Sequence, residues 1–248
     1  IRKHAVDLFI EALYKNAVFF DKEKISWLSY IDVRKDSDKH INLGIAHGVP
    51  AIILYLSKLK DVGYKNQYLD ELLIKSCNYI LSVEQDSKNH LSHFPYSINP
   101  KDNTDKTSRL AWCYGDLSVG YALLKASKHY NNIKDATIEI LIDTTKRTNT
   151  AFDNDDCLCH GTIGIGHIYN RIYDITNNNV FKNAALYWYK KGLSISFKCN
   201  RANEIEYYNG EKIMNEYNLL DGIAGIGLSL ISAISSIEPQ WDECLLLS

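Results

Sequence analysis

Apolar residues recur at helical intervals through most of the chain. Ala5, Leu8, Phe9, Ala12 and Leu13 form one stripe, and Leu69, Leu72, Leu73, Cys77 and Ile80 form another. Both follow the i, i+3, i+4, i+7 pattern that lines one face of a helix. Strict alternation of apolar and polar residues is almost absent and there are only 4 prolines, so the pattern predicts a nearly all-α protein. Polar segments at 32–40, 86–106 and 149–156 read as loops, with a less regular excursion over 200–218.

Glycine punctuates the pattern. Of the 13 glycines, all but three fall in four short windows, at 44 and 48, at 115 and 120, at 161, 164 and 166, and at 222, 225 and 227. Aligned on Gly48, Gly115, Gly161 and Gly222, the windows form degenerate internal repeats. Each runs straight into an apolar helical stretch, over 49–59, 117–127, 163–173 and 223–234. The reading is a glycine turn that opens an inner helix, because glycine tolerates positive φ and close backbone approach. The segments between windows have room for outer helices that return the chain. Stacked pairs of this kind build an α/α toroid whose glycine turns gather at one end, here an incomplete one, read as a single domain over residues 1–248.

Composition narrows the class. With 248 residues and 46% apolar content, the chain buries a sizeable core and is not a disordered segment. Its 28 basic and 30 acidic residues leave a net charge of -2, which carries no electrostatic footprint for nucleic acid. The longest apolar runs are short or broken by Gly and Ser, well under the roughly 20 residues of a membrane-spanning helix. The N-terminus has no signal-peptide core, so the six cysteines are expected in a reducing cytoplasm, where a Cys cluster points to metal rather than disulfides. The chain begins with Ile1 and its one methionine is Met214, so an upstream segment is expected.

The chemistry sits beside the aligned glycines. Two positions before them stand Ala46, Cys113, Cys159 and Leu220; one position before stand His47, Tyr114, His160 and Asp221. Cys113 with Cys159 and His160 supplies two thiolates and one imidazole, which leaves a fourth tetrahedral position open on Zn²⁺, the pattern of a catalytic site. Cys157, two residues from Cys159, is a rival ligand, and buried free cysteine is also a common apolar filler, as Cys77 reads on its stripe. His47, in the equivalent turn of its own repeat, would face the same cavity and can exchange a proton near neutral pH, although a His before Gly also serves as a structural residue. Arg109, one helical turn before Cys113 if that stretch is helical, can hold an oxyanion. Asp116 and Asp221 flank glycine turns and read as helix-capping groups.

These residues carry a resemblance. Trp112-Cys113-Tyr114-Gly115, Cys159-His160-Gly161-Thr162-Ile163-Gly164, Gly44-Ile45-Ala46-His47-Gly48 and the run 219–227 resemble the repeat signatures of the lanthionine synthetase C-like family, the lantibiotic cyclases. The resemblance implies a toroid of inner and outer helices. It also implies a reaction in which peptide Cys thiols add to dehydroalanine or dehydrobutyrine to give thioether rings, in the maturation of ribosomal peptide antibiotics. By the same resemblance, the zinc ligands fall on Cys113, Cys159 and His160 rather than Cys157, the catalytic histidine on His47 and the motif arginine on Arg109. It further implies Zn²⁺ as cofactor, a dehydrated precursor peptide as substrate, and a cytoplasmic assembly with a dehydratase and an ABC transporter at the inner membrane face. No counterpart of the family's early catalytic Asp is found, so the chain resembles the C-terminal part of the family.

Two other functions compete. A module of the same family can use the zinc to bind thiols such as glutathione, or a partner protein, without forming rings. A glycoside-active toroid would need two carboxylates, for which Asp116 and Asp221 are the candidates, and it leaves the Cys-His pattern without a purpose.

Overall fold

The computed structural model describes residues 2–29, 40–86, 90–99, 107–149, 155–196, 198–199, 205–208, 213–214 and 216–248. Of the segments read as loops, 32–39, 87–89, 100–106, 150–154 and parts of 200–215 lie outside the described residues. Eight α-helices are found among the described residues: α1 (Arg2–Asn16), α2 (Val49–Asp61), α3 (Leu69–Ser82), α4 (Asp116–Ser127), α5 (Lys134–Thr144), α6 (Thr162–Thr176), α7 (Asn179–Ser196) and α8 (Ile223–Ile234). The all-α expectation therefore holds. Two compact units result, one of Ile1–Ser108 with Tyr114–Ile140, the other of Arg109–Cys113 with Leu141–Ser248.

In the first unit α2 packs against α3 and α4. Leu69, Leu72, Leu73, Cys77 and Ile80 are all buried, so the second stripe is a core face as read. On α1 the stripe, apart from Leu13, is the outward face. Leu8 is 51% and Phe9 48% exposed, whereas Ile10 is fully buried. Val6, Ile10, Leu13 and Tyr14 share the same helical spacing and turn inward instead, and tertiary contacts choose between the two faces: Trp27 Nε1 donates to Leu13 O at 2.8 Å and Tyr14 stacks on Tyr68. A short strand β1 (Val18–Phe19) pairs with β2 (Ile25–Ser26), and β3 (Ile41–Asn42) with β4 (Ser97–Ile98), both antiparallel.

In the second unit α6 lies along α7 and also packs on α8. Its core includes Ile163, Tyr169, Ile172, Phe181 and Trp188. The irregular excursion after α7 holds a three-stranded antiparallel sheet, β5 (Lys198–Cys199), β6 (Ile205–Tyr208) and β7 (Ile213–Met214). The pattern gave no sign of it because two of its strands have only two residues, too short to show a period.

The four predicted glycine turns do open four helices: Gly48, Gly115, Gly161 and Gly222 are the residues immediately before α2, α4, α6 and α8. The reason differs in part from the expected one. Only Gly115 has positive φ, at 103°. Elsewhere the demand is space inside the turn itself: a Cβ on Gly164 would lie 1.9 Å from Leu158 O, and one on Gly225 would lie 1.9 Å from Leu219 O. Both contacts reach back six residues, so the two repeats fold their turns the same way.

The C-terminal segment is fastened to α6 by a buried polar network. His167 Nε2 lies 2.9 Å from Asp242 Oδ2, Arg171 Nε 3.2 Å from the same oxygen, and His167 and Asp242 are fully buried. Arg171 Nε also donates to Leu247 O at 3.0 Å, Ser248 Oγ donates to Asp242 Oδ1, and Trp241 stacks on His167. Burial pushes the Asp242 carboxyl up, but His167, Ser248 and Arg171 outweigh it and hold it below the usual range. Asp242→Asn should therefore cost on the order of 3 kcal/mol at neutral pH, since it removes the carboxylate that buried Arg171 and His167 share. Because the folded pKa is lowered, that contribution is complete above the unfolded carboxylate pKa of about 3.9. It vanishes as pH falls through the folded value. Denaturant melts of both proteins across acid pH should show the stability gap closing.

Candidate metal centre

Three turns of the second unit are laced together by main chain. Cys159 O accepts hydrogen bonds from Trp112 N at 3.0 Å and Cys113 N at 3.4 Å, and Cys159 N donates to Leu220 O at 2.9 Å. Cys113, Cys159 and Leu220 each stand two residues before a helix-opening glycine, so the lacing brings equivalent positions of successive repeats side by side. Within the middle turn, Gly161 N and Gly164 N both donate to Cys157 O, and Thr162 N donates to Asp155 O at 2.8 Å.

The side chains follow the backbone. The ligand atoms of Cys113, Cys159 and His160 all lie within 4.8 Å of one another; Cys113 is buried, while Cys159 and His160 are half-buried. Arg109 Nη2 lies 3.4 Å from Cys113 Sγ. It arrives there along a bend rather than a helical turn, since α4 begins only at Asp116. A second group, Asp155, Cys157 and His160, meets at the same His160 with ligand atoms equally close. Asp155 Oδ2 is 2.9 Å from His160 Nε2, and Asp155 Oδ1 accepts from Cys157 N at 2.8 Å. Asp155 was not singled out from the sequence. The signal that could have found it is a carboxylate five residues before the histidine, in the run Asp155-Asp156-Cys157-Leu158-Cys159-His160.

The electrostatics favour one thiolate in the cluster. A hydrogen bond from Cys159, with help from His160 and the Arg109 charge, brings the Cys113 thiol down to about 4 despite burial. Cys159, donating to that thiolate and itself buried, is pushed up. Asp155, Cys113 and Cys157 raise His160 to about 12. Burial raises the Cys157 thiol, and although burial also opposes ionisation of Asp155, its bonds to His160 and Cys157 N keep it below the carboxylate range.

The donor set suits zinc. Ligands on a tetrahedral Zn²⁺ at bond lengths of about 2.0–2.3 Å stand roughly 3.7 Å apart, within the spread found for Cys113, Cys159 and His160.

His47 lies in the first unit, exposed, in the turn before α2, where Gly44 N donates to Asn42 Oδ1 at 3.0 Å. The two aspartates do not cap their helices. Asp116 is fully buried and accepts from His93 N at 3.0 Å and Phe94 N at 2.8 Å, tying a neighbouring loop to the start of α4. Both of its oxygens are committed to backbone N–H groups, which removes it as half of a glycosidase pair. Asp221 is exposed.

The chain belongs to the lanthionine synthetase C-like family, whose sequence model matches residues 2–246. Among solved structures it is similar to a nisin cyclase, with a TM-score of 0.68 at 21% identity over 84% of this chain and 50% of that one. That likeness is one of fold, and the chain spans about half the length of the nisin cyclase structure. No curated protein sequence matches it. No helix among the described residues is long and apolar enough to cross a membrane.

In metal-free protein, the ultraviolet absorbance of a thiolate should persist at mildly acidic pH and disappear in Cys113→Ser. Arg109→Ala should move its titration upward, because the variant removes a cation beside the sulfur.

Proposed function

We propose that this chain carries the zinc centre of a lanthionine synthetase, adding peptide Cys thiols to dehydroalanine or dehydrobutyrine to form thioether rings. The observation that supports it most is the convergence of Cys113, Cys159 and His160 from two turns far apart in sequence, in a chain of this family. Cys113, Cys159 and His160 would hold the ion, which when bound lowers the pKa of an incoming thiol so that thiolate is available at neutral pH.

The remaining roles belong to side chains. The substrate thiolate bonds to the β-carbon of the dehydroamino acid, and the displaced π electrons form an enolate. Arg109, whose Nη2 lies 3.4 Å from Cys113 Sγ, offsets that negative charge in this reading. His47, by its position in the family motif, delivers the proton to the α-carbon as general acid. The sum is addition of S–H across C=C. The dehydrated precursor peptide, the dehydratase and transporter partners and the cytoplasmic location belong to the same proposal.

Protein purified without chelator should hold close to one zinc per chain by elemental analysis, and Cys113→Ala should lose it. Full zinc in that variant would sink the assignment. A dehydrated Cys-containing peptide incubated with the protein should lose free thiol without change of mass. Binding with thiol retained would instead indicate a thiol-binding module. With turnover present, His47→Ala should lower the rate by roughly 100-fold or more while zinc content stays unchanged.

A further inference from the structure

The sequence points to three ligands; the structure shows that one of them is already held from behind. His160 Nε2 lies 2.9 Å from Asp155 Oδ2, and Asp155 is itself pinned, with Oδ1 accepting from Cys157 N at 2.8 Å and its carbonyl accepting from Thr162 N at 2.8 Å. The Asp155 side chain is only 7% exposed, so the carboxylate is part of the built turn rather than a surface group. Metal-binding imidazoles are commonly oriented by a carboxylate on the ring nitrogen that does not bind the ion. That bond fixes tautomer and ring plane, and its loss weakens binding without removing a ligand.

We infer that Asp155 is the positioning residue of the metal centre: it takes the Nε2–H of His160 and leaves Nδ1 as the nitrogen offered to the ion. This rests on the zinc reading above. The same geometry disfavours Asp155, Cys157 and His160 as a rival site, because the Asp155–His160 contact then has to break for both to become ligands.

Asp155→Asn is the direct test. Its side-chain oxygen can still accept from Cys157 N, while the atom facing His160 becomes an amide nitrogen that can no longer accept the Nε2–H. Zinc affinity, measured by competition with a chromophoric chelator, should fall roughly 10- to 100-fold in Asp155→Asn and be largely recovered in Asp155→Glu. With Co²⁺ in place of zinc, the thiolate-to-metal and ligand-field bands of Asp155→Asn should keep their wild-type positions, and Cys157→Ala should match wild type in affinity and spectrum. Unchanged affinity in Asp155→Asn overturns the inference. So does a changed Co²⁺ coordination spectrum, or loss of metal in Cys157→Ala, either of which would make the second group the ligand set. If Asp155→Asn fails to fold, the Asp155→Glu and Cys157→Ala arms decide by the same readings. Wild-type protein that binds no zinc would instead refute the underlying reading, so the two failures are distinguishable.

Discussion

The main chain of Cys159 is the constraint on which the site depends. Its carbonyl accepts from Trp112 and Cys113 and its N–H donates to Leu220, so one residue joins three turns that are far apart in sequence. Buried backbone groups must find partners, and here they find them in other repeats rather than in a helix. That exchange is possible only because the turns fold tightly upon themselves. A side chain on Gly164 or Gly225 would collide with a carbonyl six residues earlier, opening the turn and moving the neighbouring sulfur with it. The glycines thus act on the cluster through the backbone.

Once the turns are laced, charge does the rest. Three thiols and a carboxylate converge on one imidazole, with the Arg109 guanidinium at the edge. Only one sulfur, Cys113, is easily ionised in such company, and it is matched by a protonated His160 and by Arg109. A divalent cation would take over the balancing role of the protons on Cys159 and His160, which is why metal binding at such sites releases protons and strengthens as pH rises. The buried tether of Asp242 to His167 and Arg171 does analogous work along the middle of α6. It holds the C-terminal segment, whose Leu245 carbonyl accepts from Trp112 Nε1 at 3.0 Å, beside the same motif.

Much of this was legible in the sequence because the repeats are marked by glycine. The starts of α2, α4, α6 and α8 follow from the four windows to within a residue, and the core stripe of α3 from its spacing. The inward face of α1 does not, since Leu8 and Phe9 carry the same period as Ile10 and Leu13, and only contacts with Trp27 and Tyr68 break the tie. The sheet after α7 is hidden by the shortness of its strands. At the site, the two cysteines and His160 are readable as a set, whereas Asp155 lies in a polar segment where any carboxylate looks solvated. Asp116 misleads in the opposite way: its place at a helix start suggests a cap, yet its oxygens serve His93 and Phe94.

The proposed ligand set agrees with the register of the repeats. The lacing puts in contact the residues two places before three of the helix-opening glycines: Cys113 N bonds to Cys159 O, and Cys159 N to Leu220 O. Side chains at those positions are therefore neighbours whatever they are. Two of the three are cysteine and the third is leucine, so the row supplies two sulfurs and then an apolar wall. The third proposed ligand comes from the adjacent position, where Tyr114, His160 and Asp221 stand, and His160 lies in the turn whose main chain joins the other two. Cys157 is off this register by two residues. Its carbonyl is engaged by Gly161 and Gly164 in shaping the turn, and its thiol, raised by burial, is less ready to become a ligand than the thiol of Cys113. On the proposed reading, a three-ligand centre needs particular side chains at only two positions of the ladder and no change in the backbone that positions them.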